Sequence, residues 1–296
     1  MTPAPDRWSQ WLLERRHGGD DRQREATLAH LGGIRDRVLA GAEPLDGATL
    51  LDVGAGDGLI GLAALDRVGP SGSVVFADVS PALLDECRRL VAAKDAGARA
   101  RFIIADAIDL GPIPSDSVDV VTTRSVLIYI PDKRAAFAAM CRVLRPGGRI
   151  SLFEPINRLM YPEPAGRFLG CDVSAVADLA EKVKASLTVL PAGTDYRDAM
   201  MGFDDRDLAD HAVAAGFSRV HVECHIDVEP GAVMDGASLS ALLDTAPNPN
   251  APTTREAIES ALTPDEQHRF IAEFERAIDA GTAIRKMAVA YLVAHK

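Results

Sequence analysis

The 296-residue chain has no apolar run approaching the roughly 18 residues that a membrane helix needs, so no transmembrane span is expected. Its first twenty residues are polar and lack the apolar core of a secretory signal, which points to a cytoplasmic location. Cysteines are few and scattered, at Cys87, Cys141, Cys171 and Cys224, and none forms a C-x-x-C pair. That spacing argues against a disulfide framework and for reduced, unpaired thiols. Basic charge is also short: 32 Lys and Arg face 43 Asp and Glu, a net −11, which disfavours a nucleic-acid partner because phosphate binding wants a basic face. What is present is ordinary for a globular protein, 47% hydrophobic and 25% charged residues, enough for one large α/β domain or a domain with a sizeable cap.

The most informative stretch is Thr49-Leu50-Leu51-Asp52-Val53-Gly54-Ala55-Gly56-Asp57-Gly58. An apolar run of strand length ends in a glycine-rich turn, and a helical pattern begins at Leu59. Strand, tight turn and helix opening together let backbone N–H groups face a ligand. A nicotinamide fingerprint would place a third glycine three residues after Gly56, where Leu59 stands. A nicotinamide dehydrogenase is therefore disfavoured.

The pattern then alternates. Strands are expected at residues 73–79, 101–105, 118–122, 149–153 and 219–228, and a last one at 283–293. Helices are expected at 6–16, 21–40, from Ser80-Pro81, from Pro131-Asp132 and at 204–215, with a capping box at Thr263-Pro264-Asp265-Glu266 opening another. Alternation of this kind implies a doubly wound parallel α/β sheet, whose ligands lie beyond the carboxyl ends of the strands. Asp52, Asp78, Asp106, Arg124 and Glu154 all fall at or just past those ends.

These residues resemble those of class I S-adenosylmethionine-dependent methyltransferases of the small-molecule type, similar in pattern to ubiquinone and sterol methyltransferases. The likeness is carried by Asp52-to-Gly58, Asp78, Asp106, Arg124-Ser125 and Pro146-Gly147-Gly148, and covers residues 49–156 well. It implies a Rossmann-like, seven-stranded, mostly parallel sheet with a reversed last strand, plus helical cap and lid insertions. The implied partition is an N-terminal cap at 1–45, a cofactor-binding core at 46–156, a lid at 157–203, core again at 204–230, a helical insertion at 231–281 and a final strand at 282–296. The implied cofactor is S-adenosylmethionine. It would be held by Asp52, Gly54, Ala55 and Gly56 at the first turn, Asp78 and Val79 at the ribose, Asp106 and Ala107 at the adenine, and Arg124 and Ser125 beyond the fourth strand. Arg124 could take the cofactor's carboxylate or an acidic acceptor, or else pair with a neighbouring acid; Arg16 and His17, in the cap, could touch the cofactor as secondary candidates.

Two departures bear on chemistry. Many relatives carry two histidines where Ile128 and Tyr129 stand, and the acids that hold magnesium in catechol-type enzymes are replaced by Thr122, Thr123 and Arg124, so no metal is expected. Methyl transfer from a sulfonium is an in-line displacement that depends on positioning, with a base needed only where the acceptor must lose a proton. Glu154 is the first candidate base and Tyr129 the second catalytic candidate; Tyr129, Glu154, Asn157 and Tyr161 are candidate acceptor contacts. His221, Glu223 and His225 would share one face of the sixth strand, as a metal pair or as a solvated face. Cys171 is similar in place to a thiol of arsenic methyltransferases, which need several.

The leading expectation is methylation of an O, N or C atom of a small-molecule metabolite, without metal, nucleic acid or membrane. A non-catalytic S-adenosylmethionine-binding or interaction protein on the same fold is the alternative, and a protein or RNA methyltransferase is disfavoured by charge. The chain is expected as a monomer or homodimer, the apolar face of Phe270, Phe274 and Ile278 packing either internally or on a second copy.

Overall fold

The computed structural model describes residues 4–16, 21–187, 196–230 and 239–296, with backbone alone at 21–24, 26, 196 and 197. His17 lies outside the described residues. The chain opens with α1 (Arg7–Gln10), whose first amides are capped by Asp6, and winds on as a single wider turn over Trp11–Arg15. Then come α2 (Asp21–Gly41), β1 (Thr49–Val53), α3 (Leu59–Arg67), β2 (Ser73–Asp78), α4 (Pro81–Ala93), β3 (Ala100–Ile104), β4 (Val118–Arg124), α5 (Lys133–Val143) and β5 (Leu144–Pro155). A two-residue ladder, β6 (Arg167–Phe168) with β7 (Cys171–Asp172), precedes α6 (Ala177–Leu187), α7 (Tyr196–Met201) and α8 (Asp205–Ala214). The chain closes with β8 (Arg219–Pro230), α9 (Leu239–Asp244), α10 (Thr254–Ala261), α11 (Pro264–Asp279) and β9 (Ile284–His295).

Seven strands form one sheet in the order β3-β2-β1-β4-β5-β9-β8. The pairs from β3 to β5 are parallel, while β9 runs antiparallel to both β5 and β8. This is the doubly wound sheet with a reversed last strand. The central strands are buried on both faces, which is why β1 and β2 read as continuous apolar runs. One face carries α5 and α8 over Val121, Leu152 and Leu292; the other carries α2, α3 and α4 over Leu50, Phe76 and Val120. Gly61 is required on α3, since a Cβ there would come within 2.3 Å of the Phe76 ring.

The Pro146-Gly147-Gly148 segment, which the family resemblance places in the loop ahead of the fifth strand, is a bulge inside β5. Val118 pairs with Leu144 and Val120 with Arg149, so the residues between are extruded. The chain's end secures the bulge: Gly147 N donates to Lys296 O, and Lys296 N to Gly148 O.

The two insertions share one core. Phe168 packs edge-on against Phe270 and Phe274 of α11 at 5.2 and 5.3 Å, and Val176, Leu179, Val183, Ala257 and Ile258 close around them. Lys182 on α6 pairs with Glu266 on α11 at 2.6 Å. The Phe270–Phe274 face is therefore turned inward. Truncating a buried aromatic costs about 3–5 kcal/mol. Phe270→Ala should accordingly strip amide-exchange protection from α6 and α10 together while β1, β2 and β4 keep theirs, as read by hydrogen-exchange mass spectrometry.

Candidate functional site

The glycine turn is shaped by what presses on it. Gly54 and Gly56 sit at φ +65° and +55°, a region that side chains with a Cβ rarely adopt. A Cβ on Gly54 would lie 2.2 Å from Val126, and one on Gly56 would lie 3.1 Å from Leu12. The turn is thus closed from one side by the loop after β4 and from the other by the N-terminal segment. Ala55 N donates to Ala77 O at 3.0 Å, fastening the turn to β2.

Three strand-end carboxylates are buried, and each accepts from backbone amides. Asp78 takes Gly56 N–H on Oδ2 and Ser80 N–H on Oδ1, both at 2.9 Å. Asp52 takes Gly61 N–H at 2.9 Å and the Thr122 hydroxyl at 3.0 Å. Glu154 takes Val126, Leu127 and Ile128 N–H at 2.9, 2.9 and 3.0 Å, and is wholly inaccessible to solvent. Burial pushes Asp52 and Glu154 each up to about 7, against the pull of these donors. Asp52 is therefore turned inward as a brace between β1, α3 and β4. Glu154 likewise holds the loop after β4.

Asp78 differs from those two. It is the least enclosed of the three, 7% exposed against 2% for Asp52 and 0% for Glu154, so its remaining lone pairs are the ones that two adjacent hydroxyls could reach. At the next strand end Asp106 is exposed, its Oδ1 accepting from Ile108 N–H at 3.0 Å, and the apolar side chains of Val79 and Ile108 stand exposed beside it; Ala107 is buried. Arg124 ends β4 with Nη1 3.4 Å from Ser125 Oγ, and Ser125 is held at φ +54° by its N–H bond to Phe153 O. The buried Thr123 Oγ1 has no hydrogen-bond partner among the described residues.

The N-terminal segment roofs this row of strand ends. Ser80 Oγ donates to Asp6 Oδ2 at 2.5 Å, Leu12 covers Gly56, and Trp8 packs edge-on against Tyr129 at 5.0 Å. Arg16 comes near Arg124, Asp57 and Tyr129; burial and the Arg124 charge lower it to about 10, so it remains a cation. Burial pushes the Tyr129 hydroxyl up to about 12, so it is protonated at neutral pH. The same segment is tied to the helical insertion: Trp11 Nε1 donates to Ala246 O at 2.9 Å, and Arg15 pairs with Glu256 at 2.6 Å. Asn157 is buried at the start of the turn Asn157–Leu159, while Tyr161 is half-exposed and joins none of these bonds.

Asp6, Leu12, Ile108 and Val126 escaped the sequence reading, having no motif of their own. So did Lys133, buried with its Nζ on Ile130 O and Ala199 O at 2.9 and 2.7 Å and lowered to about 8 by burial. His221, Glu223 and His225 lie together on β8, but Glu223 is engaged by Arg37. Among the described residues no group of three or more His, Cys, Asp or Glu is placed to hold a metal.

The buried Asp52 sets a pH dependence. Its pKa rises from 3.8 to about 7 on folding, so the folded state holds a proton that the unfolded chain releases. Its stabilising contribution is complete below the unfolded value and is lost as pH rises through about 7. Asp52→Asn should flatten the fall in unfolding free energy between those two values, measured by urea denaturation across the range.

Residues 50–148 match the family described as a methyltransferase domain. Over 279 residues the chain is 30% identical to the nocamycin O-methyltransferase of Saccharothrix syringae, covering 88% of this chain and 89% of that one. It is 29% identical over 212 residues to the arsenite methyltransferase of Halobacterium salinarum, of which it spans 53%, about half. The fold is similar to that of the geranyl diphosphate C-methyltransferase of Streptomyces coelicolor A3(2), with a TM-score of 0.53 at 14% identity, over 95% of this chain and 87% of that one. The Asp78 lone pairs, the glycine turn and the cations beyond it suit the nucleoside and amino-acid ends of S-adenosylmethionine. The chain belongs to the S-adenosylmethionine-dependent methyltransferases.

Proposed function

We propose that the chain methylates an oxygen atom of a small organic acceptor. The observation that carries the reading is the pairing of Arg16 with Arg124 on one side of the glycine turn and Asp78 on the other. The two guanidinium charges repel, an effect that Asp57 offsets only in part on Arg16, so an anionic group placed between them would be favoured. In this reading Asp78 holds the ribose hydroxyls, Val79, Asp106, Ala107 and Ile108 surround the adenine, and Arg16 with Arg124 takes the carboxylate. S-adenosylmethionine supplies a methyl group on a cationic sulfur that leaves as a neutral thioether. The chain's residues then have to exclude water and align the acceptor. Trp8 and Tyr129 would flank it, with Asn157 and Tyr161 further out. The oxygen assignment is supported by the likeness to an O-methyltransferase over nearly the whole of both chains.

Glu154 takes a positioning role in this account. Its carboxylate is wholly enclosed and accepts from the three amides that shape the loop beneath Tyr129. Lacking a base there, the site suits an oxygen that is ionised in water or weakly acidic. An arsenic acceptor fits poorly: Cys87, Cys141 and Cys171 are buried in three separate apolar clusters, and Cys224 is exposed on β8.

Calorimetric titration with S-adenosylmethionine should show binding that Asp78→Ala weakens at least about tenfold, the equivalent of one or two charge-assisted hydrogen bonds. Incubation with methyl-labelled cofactor and panels of hydroxyl, carboxyl, amine and carbon acceptors should label oxygen. Binding without turnover on any panel would favour the non-catalytic alternative. Glu154→Gln should keep the pH dependence of turnover and lose about tenfold in rate. A loss of about 10²–10⁴-fold with disappearance of the acidic limb would instead identify a general base.

A further inference from the structure

β8 is the last strand of the sheet. It pairs with β9 along its whole length, from Arg219 opposite His295 to Pro230 opposite Ile284. Among the described residues no strand pairs with its other side. Ile226 and Val228 are 52% and 58% exposed on it. A long, regular strand with an open, partly apolar edge is a template for another strand.

The backbone shows which residues face outward. Gly147 N donates to Lys296 O, Lys296 N to Gly148 O and Ile156 N to Ala288 O, so even-numbered residues of β9 bond toward β5. Antiparallel alternation turns the odd ones toward β8, in agreement with the Ser218 N bond to His295 O. Their partners on β8 are the odd residues from Arg219 to Glu229. Val220, Val222, Cys224, Ile226 and Val228 therefore present their N–H and C=O groups to the open edge.

The strand Arg219-Val220-His221-Val222-Glu223-Cys224-His225-Ile226-Asp227-Val228-Glu229 is complementary to itself when reversed about Cys224. In an antiparallel pair of copies with a two-fold axis there, Glu223 faces His225, His221 faces Asp227 and Arg219 faces Glu229, each contact made twice. On the opposite face Val222 meets Ile226 and Val220 meets Val228. Cys224 meets its own copy as an outward-facing, hydrogen-bonded pair, as the backbone alternation requires. Other axes spoil the match. An axis at Glu223 or His225 sets that residue against itself, one at Val222 sets Arg219 against His225, and one at Ile226 sets Glu223 against Glu229. The face is also pre-ordered: Arg37 stacks 4.1 Å over Tyr291, bonds Glu223 and stands 2.8 Å from His225 Nε2.

We propose that the chain forms a two-fold dimer by antiparallel pairing of β8 with β8 of a second copy, centred on Cys224, so that one sheet runs through both copies. The interface is isologous, as a two-fold dimer requires, and lies at the sheet edge, apart from the row of strand ends beneath the N-terminal segment.

Light scattering of the full chain should give twice 31.5 kDa. A short bismaleimide should link the wild type through Cys224, the other three thiols being buried. Arg219→Glu places like charges opposite each other twice and should weaken the dimer by about tenfold or more, and adding Glu229→Arg should restore it. Unchanged S-adenosylmethionine binding and far-ultraviolet dichroism would certify that the variants are folded. A wild type that stays monomeric at about 100-fold above a micromolar dissociation constant overturns the proposal. So does a dimer that neither links through Cys224 nor responds to Arg219→Glu.

Discussion

The structure depends on how it keeps buried carboxylates at the ends of parallel strands. A carboxylate removed from water has to be met by donors, and here the donors are backbone amides of a neighbouring turn. Asp78 on β2 holds Gly56, which follows β1; Glu154 on β5 holds residues 126–128, which follow β4. Strand order thus becomes loop order: each acid disciplines the loop of the strand beside it. Asp52 adds the internal brace, from β1 to α3 and β4. The glycine turn is consequently shaped by its neighbours as much as by its own dihedrals.

A site built in this way favours positioning over proton transfer. Asp52 and Glu154 are enclosed as braces, its tyrosine is protonated, and two guanidinium charges lie near one another beside the glycine turn. The N-terminal segment completes it from outside the sheet. That segment touches Ser80, Gly56 and Tyr129 on one side and Ala246 and Glu256 on the other, so it bridges the strand ends and the helices from α9 to α11. The insertion in turn shares its apolar core with the segment after β5, through Phe168 and Phe270.

Much of the fold was legible in the chain because its signals are local. Buried parallel strands require runs such as those of β1 and β2, the hydroxyl before Pro81 marks a helix start, and Gly54 and Gly56 mark the tight turn that follows β1. The Pro146-Gly147-Gly148 segment misled, since proline and glycine read as a loop. It lies within β5, flanked by pairs with β4 and bonded at Gly147 and Gly148 to Lys296, which is remote in sequence. The candidate site was half legible. Glu154 had the right position for a base, but its partners are three amides whose direction depends on the β4–β5 pairing.

By itself the sequence determined the order of strands and helices, the glycine turn and the acids at the strand ends, because spacing along a chain is enough to specify those. The tertiary structure alone decided which acids are enclosed as braces, that Arg16 comes near Arg124, that residues 168–183 and 257–274 form one core, and that β8 is an edge. Each of these depends on residues far apart in the chain, and it exists only once the strands have taken their places in the sheet.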